Sequence, residues 1–113
     1  MESKYLKSLT TIITKVVSSQ DLAKFTEGKN IISTTPITAT NDYAVVYKFH
    51  KSVKYEDIVA NMVEEKYPSQ SDREGILRKG IVNPSNEEFV AFHNYIEECK
   101  VAARAFVAER DGN

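Results

Sequence analysis

Phe89, Phe92, Ile96, Cys99, Ala103 and Phe106 follow one another at intervals of 3, 4, 3, 4 and 3 residues. Those intervals draw a heptad seam along one face of a helix running from about Asn86 to Glu109. At 1.5 Å per residue such a helix would be ~36 Å long, more than the diameter of a domain this size. Either it spans the whole molecule or part of it packs on a neighbouring chain. The seam covers about two and a half heptads, short of the three to four of a free-standing coiled coil. Its expected use is therefore packing in a small bundle or at an oligomer interface. Asn83-Pro84-Ser85-Asn86-Glu87-Glu88 supplies the start signal, with Ser85 and Glu88 at capping-box spacing.

Upstream, the signals are mixed. Apolar residues at 5, 6, 9, 12, 13, 16 and 17 fit an amphipathic helix over Lys4 to Val17, although Thr10, Thr11, Ile12, Ile13, Thr14, Val16 and Val17 are all β-branched. On periodicity the segment is expected to be helical. A short helix from Leu22 to Glu27 follows, with Gly28 as its C′ residue. Ile31 to Ala39 and Tyr43 to Lys51 read as strands joined at Thr40-Asn41-Asp42, a β-hairpin. Pro36 cannot donate to a ladder, so the first strand is an edge or carries a bulge. An isolated hairpin is marginal in water and must pack on helices or gain strands from another copy. Lys54 to Lys66 has a clear helical stripe that ends before Pro68. Ser71 and Glu74 then open a short helix closed by Gly80. The expected fold is α+β in one domain, residues 1–113: a helical N-terminal segment (1–28), a β-hairpin (31–51) and three helices (54–110), the last the longest.

Composition removes several function classes. With 42% hydrophobic and 27% charged residues the chain is neither disordered nor fibrous. Fifteen basic residues against sixteen acidic ones exclude a globally basic nucleic-acid coat. The near-neutrality is a cancellation. Residues 1–54 carry eight lysines and four acids, whereas residues 55–113 carry seven basic and twelve acidic residues, including all four arginines. The division makes head-to-tail association an expectation. No apolar run reaches the ~20 residues that cross a bilayer, and the N-terminus does not read as a signal peptide. One cysteine, Cys99, cannot form an internal disulfide and suits a reducing, cytoplasmic setting.

No residue set converges on catalysis or on a cofactor. His93 and Glu97 stand at (i, i+4) and could offer two ligands to zinc, but no third ligand has the right spacing. Cys99 lies mid-helix beside Glu97 and Glu98, the wrong field for a thiolate nucleophile. Glu64 and Glu65 read as solvated, and Glu87 and Glu88 as complements to a helix dipole. The four glycines are scattered, so no loop cradles a phosphate. Tyr43, Tyr47 and Phe49, with Lys48, Lys51 and Lys54 nearby, suggest a platform for single-stranded nucleic acid. Alternation puts the aromatic side chains on the strand face opposite Lys48 and His50, which favours a core role for them instead.

Residues 30–110 also resemble small phage- and prophage-encoded proteins of gut bacteria. The likeness is carried by Thr35-Pro36-Ile37-Thr38-Ala39, Tyr55-Glu56-Asp57-Ile58-Val59 and Glu65-Lys66-Tyr67. It continues through Ile76-Leu77-Arg78-Lys79 and Glu88-Phe89 to Tyr95-Ile96-Glu97-Glu98-Cys99-Lys100. The chain departs from that pattern at Pro68 and over Gly80 to Pro84. The resemblance implies a structural or accessory role, in the cytoplasm or in a virion, and supplies no catalytic residues.

The expected function is thus non-enzymatic, a self-associating or partner-binding protein whose seam is Phe89, Phe92, Ile96, Cys99, Ala103 and Phe106. The alternative is a nucleic-acid accessory module using the lysine-rich first half, with Lys48, Lys51 and Lys54 as its contacts.

Overall fold

The computed structural model describes residues 2–112. Its elements are α1 (Lys4–Ser8), β1 (Thr10–Ser18), α2 (Leu22–Thr26), β2 (Asn30–Pro36), β3 (Asp42–His50), α3 (Tyr55–Lys66), α4 (Gln70–Val82) and α5 (Glu87–Asp111). The class is α+β, with a long C-terminal helix as expected. The chain forms two compact units. One holds Val53–Val107 with the residues before Ser8; the other holds Ser8–Ser52 with the residues from Ala108 onward. These units cut across the segments 1–28, 31–51 and 54–110 read from the sequence.

The sheet unit carries the largest correction. Residues 4–17 are not one helix: the helix stops at Ser8 and a nine-residue strand begins at Thr10. The change falls where the β-branched run starts. Each such residue loses χ1 freedom against the preceding helical turn and fits a pleated strand better. The hairpin therefore becomes a three-stranded antiparallel sheet in the order β1-β3-β2. Thr10 pairs with His50 and Ser18 with Asp42, while Asn30 pairs with Lys48 and Pro36 with Tyr43. The β2 ladder shifts register between Ile31 and Ser33, and Pro36 ends the strand, so β2 is an edge strand as its proline requires. The connection is longer than the sequence suggests. Residues 37–41 form it, with the Ile37 N–H donating to the Asp42 carbonyl at 3.0 Å. After α2, Gly28 takes the left-handed φ of +72° expected of a C′ glycine.

Register sorts the side chains onto two faces. Tyr43, Val45, Tyr47 and Phe49 share one with Lys15 and Val17; Ala44, Val46, Lys48 and His50 share the other with Ile12, Thr14 and Val16. Helix α2 lies against the first, where Phe25 meets Tyr47 edge to face at 5.6 Å. Val45 and Val17 are buried on that face. Phe49, expected in the core, is 48% exposed instead.

In the helical unit α3 follows its predicted span and buries Ile58, Met62 and Val63. Helix α4 starts one residue before Ser71: Ser69 is the N-cap, and its hydroxyl accepts the Asp72 N–H at 3.2 Å. Gly80 does not end α4. It is buried inside the helix because the Phe89 ring lies against it where a Cβ would be. At the start of α5 the cap is Asn86 rather than Ser85, its Oδ1 accepting the Phe89 N–H at 3.1 Å.

Candidate interaction surface

The predicted seam is the inner face of α5 within its own chain. Phe92, Cys99, Ala103 and Phe106 are buried, and Phe89 and Ile96 half-buried. The stripe passes through Tyr95, which the heptad reading omitted and which is 8% exposed. Phe92 and Tyr95 both meet Tyr67 edge to face, at 4.9 and 5.8 Å. The Tyr95 hydroxyl donates to the Met62 carbonyl at 3.3 Å. Phe89 stacks on His93 at 6.4 Å. A buried stripe of this kind is core, not a free docking seam.

The groups considered for chemistry are placed accordingly. Cys99 is fully buried, and burial pushes its thiol pKa up, with the nearby Tyr95 hydroxyl acting the other way. A thiol so held is a packing group. Burial likewise pushes the Tyr95 phenol up to about 12. Among the described residues no group of three or more His, Cys, Asp or Glu side chains could hold a metal ion, and His93 and Glu97 are both exposed. Glu65 is not merely solvated: its carboxylate accepts the Ser3 hydroxyl and the Tyr5 N–H, each at 2.8 Å, at the start of α1. Glu88 pairs with Lys79.

The three candidate lysines do not form one patch. Lys48 lies 3.4 Å from Glu109, and the Lys51 carbonyl accepts from the Arg110 guanidinium at 3.2 Å. Lys54 belongs to the other unit, directly before α3. His50 is buried, its Nδ1 2.9 Å from the Thr10 hydroxyl and its Nε2 3.8 Å from Glu109.

What sequence reading missed is the free edge of β1. The Lys51 N–H donates to the Leu9 carbonyl, and the Ser19 N–H to the Asn41 carbonyl. These two pairs continue the β1–β3 register by one step at either end, so odd-numbered residues of β1 turn their backbone groups toward β3. Ile12, Thr14 and Val16 turn theirs outward, and no described residue bonds to them. The Ile12 and Val16 side chains, on the face opposite α2, are 64% and 57% exposed. The other edge is defended by the β2 irregularity at Ile32 and by Pro36. The one charge within β1, Lys15, sits over the Phe25 ring at 5.4 Å. The run Thr-Thr-Ile-Ile-Thr-Lys-Val-Val was the available signal, had its β-branching been ranked above its spacing.

No helix among the described residues is long and apolar enough to cross a membrane. Comparison with protein-family models, curated proteins and solved structures finds no match.

Proposed function

We propose that this chain is a non-enzymatic structural or accessory protein that acts by associating through its sheet unit, with further copies of itself or with another protein. The observation that carries this reading is the undefended β1 edge, where unpaired backbone groups of Ile12, Thr14 and Val16 adjoin exposed apolar side chains. Such an edge is a template for one more strand. The resemblance of residues 30–110 to phage- and prophage-encoded proteins supports a virion or assembly setting. The nucleic-acid alternative draws less support, because Lys48 engages Glu109 and the aromatic side chains lie on the opposite face of β3.

The test is the mass of the full chain in solution, read by light scattering and sedimentation over a wide concentration range. A mass that rises above 12.8 kDa with concentration is expected. A mass fixed at one chain throughout would overturn self-association, and failure to retain any protein partner in addition would overturn the whole reading.

A further inference from the structure

We infer that two copies of this chain pair through β1, antiparallel about a two-fold axis at Thr14, into one six-stranded sheet ordered β2-β3-β1-β1-β3-β2. The inference rests on the self-association reading above and names its partner and register.

The backbone restricts the pairing before any side chain is considered. Only even-numbered residues of β1 turn their backbone groups away from β3, so a partner strand must meet them with outward-facing groups of its own. A second copy of β1 does this when Thr14 faces Thr14 and Ile12 faces Val16. Shifting the register by one residue sets an outward-facing residue against one already committed to β3. Shifting it by two sets Ile12 against Thr14 or against Ser18 and leaves two residues of each nine-residue strand unpaired. The central register is thus the one in which the nine-residue strand overlaps itself end to end.

Side chains agree with that choice. Ile12 and Val16 are the exposed apolar pair of β1. In this register each covers the other across the axis, forming one stripe on the face opposite α2. The pairing is isologous, the form a two-fold dimer requires, and it closes rather than propagates. On the other face Lys15 meets Ile13 of the second copy, with the two Lys15 residues on a diagonal. Both edges of the enlarged sheet are then β2 strands, the ones ended by Pro36 and irregular at Ile32.

Three variants and two labels test it. Thr14→Lys sets like charges opposite each other on the axis and should weaken dimerisation about fivefold or more. Thr14→Pro removes the outward N–H, which an edge strand tolerates, and should weaken it as well. Thr35→Lys, on β2, should leave the dimer unchanged. Nitroxides on Thr11→Cys should report a backbone separation of about 20 Å, since Thr11 faces Val17 and six residues at ~3.4 Å separate the labelled sites. Thr14→Cys should show strong dipolar broadening, while buried Cys99 stays unlabelled. If the wild-type chain associates and both Thr14 variants associate equally well, the β1 pairing is overturned and self-association stands. A Thr11 separation near 14 or 27 Å overturns the register (a two-residue slip either way). If Thr14→Lys fails to fold, the label distances decide. A chain that is monomeric at every concentration removes both readings.

Discussion

Gly80 shows how one missing side chain positions two helices. A glycine within a helix usually weakens it, and alanine there would gain about 1 kcal/mol of helix propensity. At Gly80 the balance reverses, because an added Cβ would overlap the Phe89 ring near its attachment point. Overpacking of that kind costs about 1–3 kcal/mol. Gly80→Ala is expected to lower stability in urea unfolding, and Phe89→Leu in the same chain to recover part of the loss. Tyr95 gives a second residue-scale expectation. Its phenol is pushed up to about 12 from an ordinary value of 10.0, chiefly by burial. The native state therefore holds this proton longer than the unfolded chain does. The associated stability is complete below pH 10, and is lost as the pH climbs toward 12, by an amount on the order of 2–3 kcal/mol. Tyr95→Phe should flatten that alkaline loss. Its cost at neutral pH should be only the bond to the Met62 carbonyl, about 1 kcal/mol.

Among the elements, the helices were legible because several independent signals agreed. In α3 the apolar stripe and the proline that follows coincide, and the observed span Tyr55–Lys66 differs by one residue. In α5 the stripe was found with Tyr95 left out of it. Heptad spacing selects Ile96, whereas a straight helix at 3.6 residues per turn brings Tyr95 inward, where its hydroxyl finds a backbone carbonyl. The N-terminal segment was misread because its apolar positions satisfy helical spacing while its residue types favour a strand. Pairing with β3 decides between them, and the paired residues lie 24 to 40 positions apart, beyond any local window. The same distance hid the candidate surface: an edge can be recognised only once the strand order is known. If the burial stripe of α5 is core, Phe92→Ala should cost about 3–5 kcal/mol without changing the oligomer. Val101→Asp, at a position 64% exposed, should change stability by less than about 0.5 kcal/mol.

At the scale of the whole molecule, the charge division near residue 54 loses most of its force. The sheet unit gathers six basic and five acidic residues, and the helical unit nine and eleven. The C-terminal Glu109 and Asp111, counted with the acidic half of the sequence, belong to the sheet unit, and Lys4 and Lys7 move to the helical one. Opposed fields are therefore a poor basis for association, and the surface that remains is nearly uncharged. This separates the two modes experimentally. Head-to-tail attraction between a basic and an acidic part weakens as salt screens it. Pairing through β1 depends on backbone hydrogen bonds and on Ile12 against Val16, and its only charges are two Lys15 ammoniums that repel along a diagonal. Added salt screens that repulsion and should leave the dimer equally strong or slightly stronger. Sedimentation of the full chain between about 0.05 and 0.5 M sodium chloride reads the difference, since the Debye length falls severalfold over that range. A dissociation constant that climbs steeply with salt would point to opposed fields and count against the β1 edge.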